Sequence, residues 1–191
     1  MAKKKPANVV NRLVVIGLGL IGSSLAASAR NKGLAKEVIG ISRRQSTLEI
    51  ALNNGIVDHC ADNLEQIAGE LSEGDIVVIG VPTLSVPKVL QECVSLLSPG
   101  VTITDVASVK ESVVNSAKEL FGSVPPQLVP GHPIAGSERS GVTAANPDLF
   151  VDHRVILTPI ETTLDSHIER TTKLWQSVGA LVSSMSVKEH D

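Results

Sequence analysis

Six residues, Gly17-Leu18-Gly19-Leu20-Ile21-Gly22, constrain this chain more than any others. They stand directly after an aliphatic run, 12–16 (RLVVI), and at the head of a stretch with helical spacing, 20–32. In a strand-to-helix turn, glycines at these places have separate uses. Gly17 permits the tight turn, Gly19 lets a bulky anion approach the backbone, and Gly22 lets helix and strand pack closely. The free N–H groups and the positive end of the helix, at Leu20 and Ile21, then face a pyrophosphate. A flexible turn would give the same letters; their place between strand and helix is what favours a dinucleotide.

The rest of the chain repeats this alternation. Short β-branched runs at 12–16, 37–41, 75–79, 101–104, 127–129 and 154–157 read as strands, with weaker ones near Val57 and at 180–184. Stretches with helical spacing lie at 20–32, 46–54, 64–71, 86–97, 109–120 and 164–178. The expected fold is α/β and Rossmann-like: a doubly wound, mostly parallel sheet with helices on both faces, spanning 11–184. Residues 1–10, with Lys3, Lys4 and Lys5, read as a disordered basic tail. Residues 187–191 show neither cap nor turn, and 185–191 read as the start of a connection to a further, helical domain.

Composition narrows the function. The 191 residues are 42% hydrophobic, enough for one full core, and the net charge of −3 gives no excess of cations for a nucleic-acid backbone. With two Phe, one Trp and no Tyr, base-stacking platforms are excluded as well. Cys60 and Cys93 have no CxxC or histidine-spaced partner, so neither a disulfide framework nor a metal site is signalled. No apolar run is long enough for a membrane span or a secretion signal, and the expectation is a cytoplasmic protein.

In such a sheet, ligands bind beyond the carboxyl ends of the strands, so the residues after each run matter most. The second run ends Ser42-Arg43-Arg44, where a carboxylate selective for an unphosphorylated ribose would stand. Two guanidinium groups there suit a 2′-phosphate, so NADP is the preferred cofactor and NAD the second choice. Ordinary solvated charges are the plainer reading of the two arginines. Val81-Pro82-Thr83 follows the fourth strand and Asp105 to Lys110 the fifth. Asp105 reads as a cofactor contact or as a residue that only completes a turn. Ser108 orients a neighbouring imidazole or caps a helix. His132, between Gly131 and Pro133, is the candidate general base, and a loop histidine bonded to backbone is the alternative. His59, His153 and His167 have no convergent partners and read as surface or packing residues; Trp175 reads as core.

GLGLIGSSLA at 17–26, TDVASVK at 104–110, GHPIAGSERSGV at 131–142, LTP at 157–159, LW with VGA at 174–180 and HD at 190–191 together closely resemble the prephenate and arogenate dehydrogenases of tyrosine biosynthesis. The resemblance covers residues 12–191 and is most specific in SVK combined with GHPIAGSE. It implies an NAD(P)-dependent oxidative decarboxylation of prephenate to 4-hydroxyphenylpyruvate, or of arogenate to tyrosine. By position, His132 matches the family's catalytic histidine and Ser108 the serine that bonds both histidine and substrate. Ser137 and Glu138 match residues on the substrate side. The family also carries a C-terminal helical domain that forms a homodimer, and this chain does not include it. Two other readings stay open: a dinucleotide-binding module without full catalysis, and a reductase of the β-hydroxyacid dehydrogenase type, against which GHPIAG argues.

Overall fold

The computed structural model describes residues 9–191. The chain opens with β1 (Val10–Ile16), α1 (Leu20–Asn31), β2 (Ala35–Ile41), α2 (Gln45–Asn53), β3 (His59–Ala61) and the short α3 (Glu65–Ala68). It continues through β4 (Ile76–Ile79), α4 (Val86–Leu96), β5 (Thr102–Asp105), α5 (Lys110–Phe121) and β6 (Leu128–Val129). These six strands form one parallel sheet in the order β3-β2-β1-β4-β5-β6. Chain direction across the sheet reverses beside β1, which has β2 on one side and β4 on the other. A crevice must therefore open at the carboxyl ends of β1 and β4, because the connections leave them in opposite directions.

Strand pleating sorts the aliphatic side chains into two layers. Leu13, Val15, Ile76 and Val78 pack with Leu25 and Ala26 of α1, Leu48 of α2, and Leu174 and Trp175 of the later helix α6 (Asp165–Ser177). Val14, Ile16, Val77 and Ile79 pack on the other face with Leu90 and Cys93 of α4 and Val113 and Val114 of α5. Both faces of the sheet are thus covered, which is why Leu13 to Ile16 of β1 and Ile76 to Ile79 of β4 are continuously apolar rather than alternating. Trp175 is fully buried, edge-on to Phe150 at 5.1 Å between ring centroids, as its expected core role requires. No helix among the described residues is long and apolar enough to cross a membrane.

The last third departs from the expected single sheet. β7 (Gly131–Pro133), β8 (Arg154–Leu157) and β9 (Leu181–Ser184) form a second, three-stranded sheet, with β7 antiparallel to β8 and β8 parallel to β9. Pro130 is the physical cause: it has no N–H to continue the ladder of β6, so the chain turns there into a different sheet. The residues expected to be a loop after the sixth strand are therefore themselves a strand, with His132 opposite Ile156. The weak strand near Val57 lies slightly later, at β3.

Both ends also differ from expectation. Of the expected disordered tail, residues 1–8 lie outside the described residues. Val9 and Val10 donate their N–H groups to the Leu34 carbonyl at 2.7 and 3.1 Å, so order begins before residue 11. At the other end, α7 (Val187–His190) is capped after all. The Ser186 hydroxyl accepts from the Glu189 N–H while the Glu189 carboxylate accepts from the Ser186 N–H, a reciprocal capping box.

Candidate active site

The crevice beside β1 is a cleft of about 960 Å³. Its floor is the glycine turn. Gly17 adopts a φ of +99°, and a Cβ there would stand 2.6 Å from the Gly80 carbonyl oxygen; at Gly22 it would stand 2.2 Å from the Gly17 carbonyl oxygen. Gly19 is different, because a Cβ there would meet nothing within 4 Å. Protein packing therefore requires the first and third glycines, while the second faces open space. α1 has no side-chain cap and no acid in its first turn. Its first internal bond runs from the Ser23 N–H to the Gly19 carbonyl at 2.9 Å, which leaves the N–H groups of Leu20, Ile21 and Gly22 without helical acceptors. Gly19, Leu20 and Ile21 line the cleft; Gly22 is buried beneath it.

Ser42, Arg43 and Arg44 line the far side at the end of β2, and Val81, Pro82 and Thr83 line the side at the end of β4. The Ser42 hydroxyl accepts from the Arg44 N–H at 3.2 Å, so it shapes the turn that presents both arginines. Both guanidinium groups are exposed, and neither forms an ion pair among the described residues. Thr47, Asp62, Asn63 and Lys88 also line the cleft. None of these four was expected, because each lies away from the carboxyl-end positions of the strongest strand runs.

His132 lines the same cleft, half-buried. Its backbone position is set from both edges of β7. One edge pairs with β8; on the other, the Gly131 N–H donates to Asp105 Oδ1 at 3.3 Å and the Gly131 carbonyl accepts from Lys110 Nζ at 2.7 Å. Asp105 and Lys110 are both fully buried and paired, and Asp105 Oδ2 also accepts from the Ala107 N–H at 2.9 Å. Asp105 is therefore not on the cleft surface, contrary to the expected cofactor contact: its carboxylate is consumed by Lys110 and two backbone donors. Burial pushes the Lys110 ammonium below its ordinary value, with Asp105 opposing the shift.

The His132 ring is held by a second histidine. Its Nδ1 lies 2.9 Å from His190 Nε2. His190 Nδ1 in turn contacts Asp191 Oδ1, and the Asp191 carboxylate accepts the N–H groups of Lys110 at 3.0 Å and Glu111 at 2.6 Å. Asp191 thus caps α5, a role expected of Ser108. The Ser108 hydroxyl neither caps α5 nor bonds His132 among the described residues, although Ser108 does line the cleft with its side chain exposed. His132 is pushed below the ordinary imidazole value chiefly by burial, then by His190 and Lys110. The fall is limited by the carboxylates of Asp105 and Asp191.

Ser137 and Glu138 are exposed in the loop after β7 and do not line the cleft. Ser137 instead closes a local turn with Arg139 at 3.2 Å. His59 contacts Glu37 at 3.2 Å and His153 contacts the Val151 carbonyl at 2.9 Å. His167 is buried and bonded to Thr102 Oγ1 at 2.7 Å, so it has a partner that spacing did not reveal.

Residues 25–184 match the family described as "Prephenate dehydrogenase, nucleotide-binding domain". Among curated proteins, a prephenate dehydrogenase of Bacillus subtilis is 36% identical over 180 residues, covering 94% of this chain and 47% of its own length. The chain thus spans about half the length of that relative. Among solved structures, a prephenate dehydrogenase of Aquifex aeolicus in complex with hydroxyphenyl propionate and NAD+ superposes with a TM-score of 0.85 at 28% identity, over 94% of this chain and 61% of its own. A Synechocystis arogenate dehydrogenase gives a TM-score of 0.83 at 31% identity, over 94% of this chain and 61% of its own.

Proposed function

Because the chain belongs to the prephenate dehydrogenase family through its nucleotide-binding domain, we propose that it binds NADP in preference to NAD and serves the oxidative decarboxylation of prephenate or arogenate. What carries the reading is that the glycine turn and His132 line one cleft. The residues fit a dinucleotide. The open space over Gly19 and the unpaired N–H groups of the first turn of α1 suit a pyrophosphate. Arg43 and Arg44, with no carboxylate partners among the described residues, suit a ribose 2′-phosphate.

When bound, the nicotinamide ring supplies the acceptor for hydride leaving the ring carbon that bears the hydroxyl. His132 takes the hydroxyl proton, which completes the oxidation at that carbon, and the ring carboxylate departs as CO2 as the ring becomes aromatic. Burial of the His132 imidazole favours its neutral form, the one able to accept a proton. Val81, Pro82 and Thr83 wall the cleft beside β4 and bound the space open to the dinucleotide there. Ser108, Ser137 and Glu138 are assigned to the substrate side; Ser108 is the one of the three on the cleft surface.

Calorimetric titration of the chain with NADP+ and NAD+, with and without R43A/R44A, tests the cofactor assignment. The unmodified chain should bind NADP+ more tightly, and the double variant should lose about 10- to 100-fold for NADP+ alone, the scale of charged hydrogen bonds removed. Equal affinity of the unmodified chain for both dinucleotides overturns the NADP preference. NADPH formation with prephenate and arogenate offered separately tests the reaction; binding without turnover would restrict the chain to holding the dinucleotide.

A further inference from the structure

The contacts behind His132 form a chain whose proton directions are not independent. Asp191 accepts two backbone N–H groups and carries its charge readily: burial raises its pKa, but the donors at Lys110 and Glu111 and the contact with His190 more than offset this. An ionised carboxylate only accepts, so His190 Nδ1 facing Asp191 Oδ1 must carry a proton. With His190 neutral, its Nε2 is then an acceptor, and the nitrogen 2.9 Å away, His132 Nδ1, must be the donor. That leaves His132 Nε2 bare, and Nε2 has no hydrogen-bond partner among the described residues. The His190 side chain is only 4% exposed, so water does not compete well for these bonds.

We propose that His190 and Asp191 are positioning residues that fix the tautomer of His132, keeping Nδ1 protonated and Nε2 free to act as the base. The proposal rests on the reading of His132 as the base and adds how it is held ready. A neutral imidazole otherwise distributes its proton between two nitrogens, and only one tautomer has its lone pair where a substrate hydroxyl can reach it. When Nε2 takes a proton, the imidazolium is connected through His190 to the Asp191 carboxylate, which stabilises it. Asp191 also caps α5, and α5 carries Lys110, which grips the Gly131 carbonyl of β7. One carboxylate therefore helps to set both the orientation of the ring and the position of the strand that bears it. The charged or titratable groups acting on His132 are His190, Lys110, Asp105 and Asp191.

The direct test is a long-range 1H–15N spectrum of the histidine-labelled chain, recorded at a pH above the free imidazole range. His132 should show a protonated Nδ1 and an unprotonated Nε2. His190→Leu should shift it toward the Nε2–H form, whereas His190→Gln, whose amide oxygen can still accept, should retain the Nδ1–H form. In turnover with prephenate or arogenate, H190L should lower kcat about 10²-fold, the lower end of general-base effects. Dinucleotide affinity should stay unchanged, and H190Q should recover most of the loss. D191N should move the acid limb of kcat/KM to lower pH, because Asp191 raises the proton affinity of His132. A purely structural role would move thermal stability without moving that limb.

An Nε2–H tautomer in the unmodified chain overturns the proposal, whether or not any variant folds, as does an unchanged tautomer in H190L. The expected tautomer without turnover on either substrate would support the relay while removing the assigned reaction.

Discussion

Three glycines with one spacing have three physical roles, and substitution should separate them. Gly17→Ala forces an L side chain to a φ of +99° and against the Gly80 carbonyl at 2.6 Å. Backbone strain alone costs about 1–3 kcal/mol, and the clash adds to it. Gly19→Ala meets open space at an extended helix N-cap, so it should cost under about 1 kcal/mol of stability. It should nevertheless weaken dinucleotide binding at least about tenfold, or 1.4 kcal/mol, because the methyl group projects where the pyrophosphate must approach. Paired thermal melts and titrations check this; a Gly19→Ala chain that binds normally removes the glycine turn from the site. The turn was legible because its chemistry is local, with spacing and flanking elements all within one short segment. The partner of His132 was not legible. His190 lies 58 positions away, and nothing in residue spacing brings it to β7. A usable hint did exist in Ser186 and Glu189, whose capping-box spacing marks a helix start that would have shown the segment to be folded.

At the level of elements, β7 is a strand of three residues whose second edge is completed by side chains in place of a neighbouring strand. Lys110 and Asp105 supply the missing donor and acceptor, and both are shielded from water. Lys110→Met should therefore be severe, about 3–5 kcal/mol, since it leaves the Asp105 charge buried without its partner. D105N/K110M should recover part of that loss, because Asn carries no charge and its carbonyl can still accept from the Ala107 N–H. Denaturant unfolding distinguishes the cases: a double variant as unstable as K110M alone would show that the cost is lost packing and not an unpaired charge. The central strands of the six-stranded sheet were readable because burial on both faces makes Leu13 to Ile16 and Ile76 to Ile79 continuous aliphatic runs, whereas β3, His59-Cys60-Ala61 at the sheet edge, has no such run. β7 was not readable, since Gly131-His132-Pro133 has no apolar pattern and is held by tertiary bonds. Pro130 was visible as a break, but a break does not say which sheet the chain joins next.

Across the whole molecule, the order β3-β2-β1-β4-β5-β6 opens a crevice beside β1, and the second sheet brings His132 to its rim. Sequence position relative to strand ends located three walls of that cleft: the glycine turn, Ser42 to Arg44 and Val81 to Thr83. It failed for Asp105, whose buried cation partner sits five positions later. Ser137 and Glu138 lie in the loop after β7, exposed and off the cleft surface. If the cleft holds the dinucleotide and His132 is the base, the cradle and the base are separable parts of one site. His132→Asn, assayed for dinucleotide affinity by titration and for turnover with prephenate and with arogenate, tests that separation most directly. The predicted result is unchanged NADP+ affinity with kcat lowered by about 10²- to 10⁴-fold; a His132→Asn variant that turns over at the rate of the unmodified protein would contradict it.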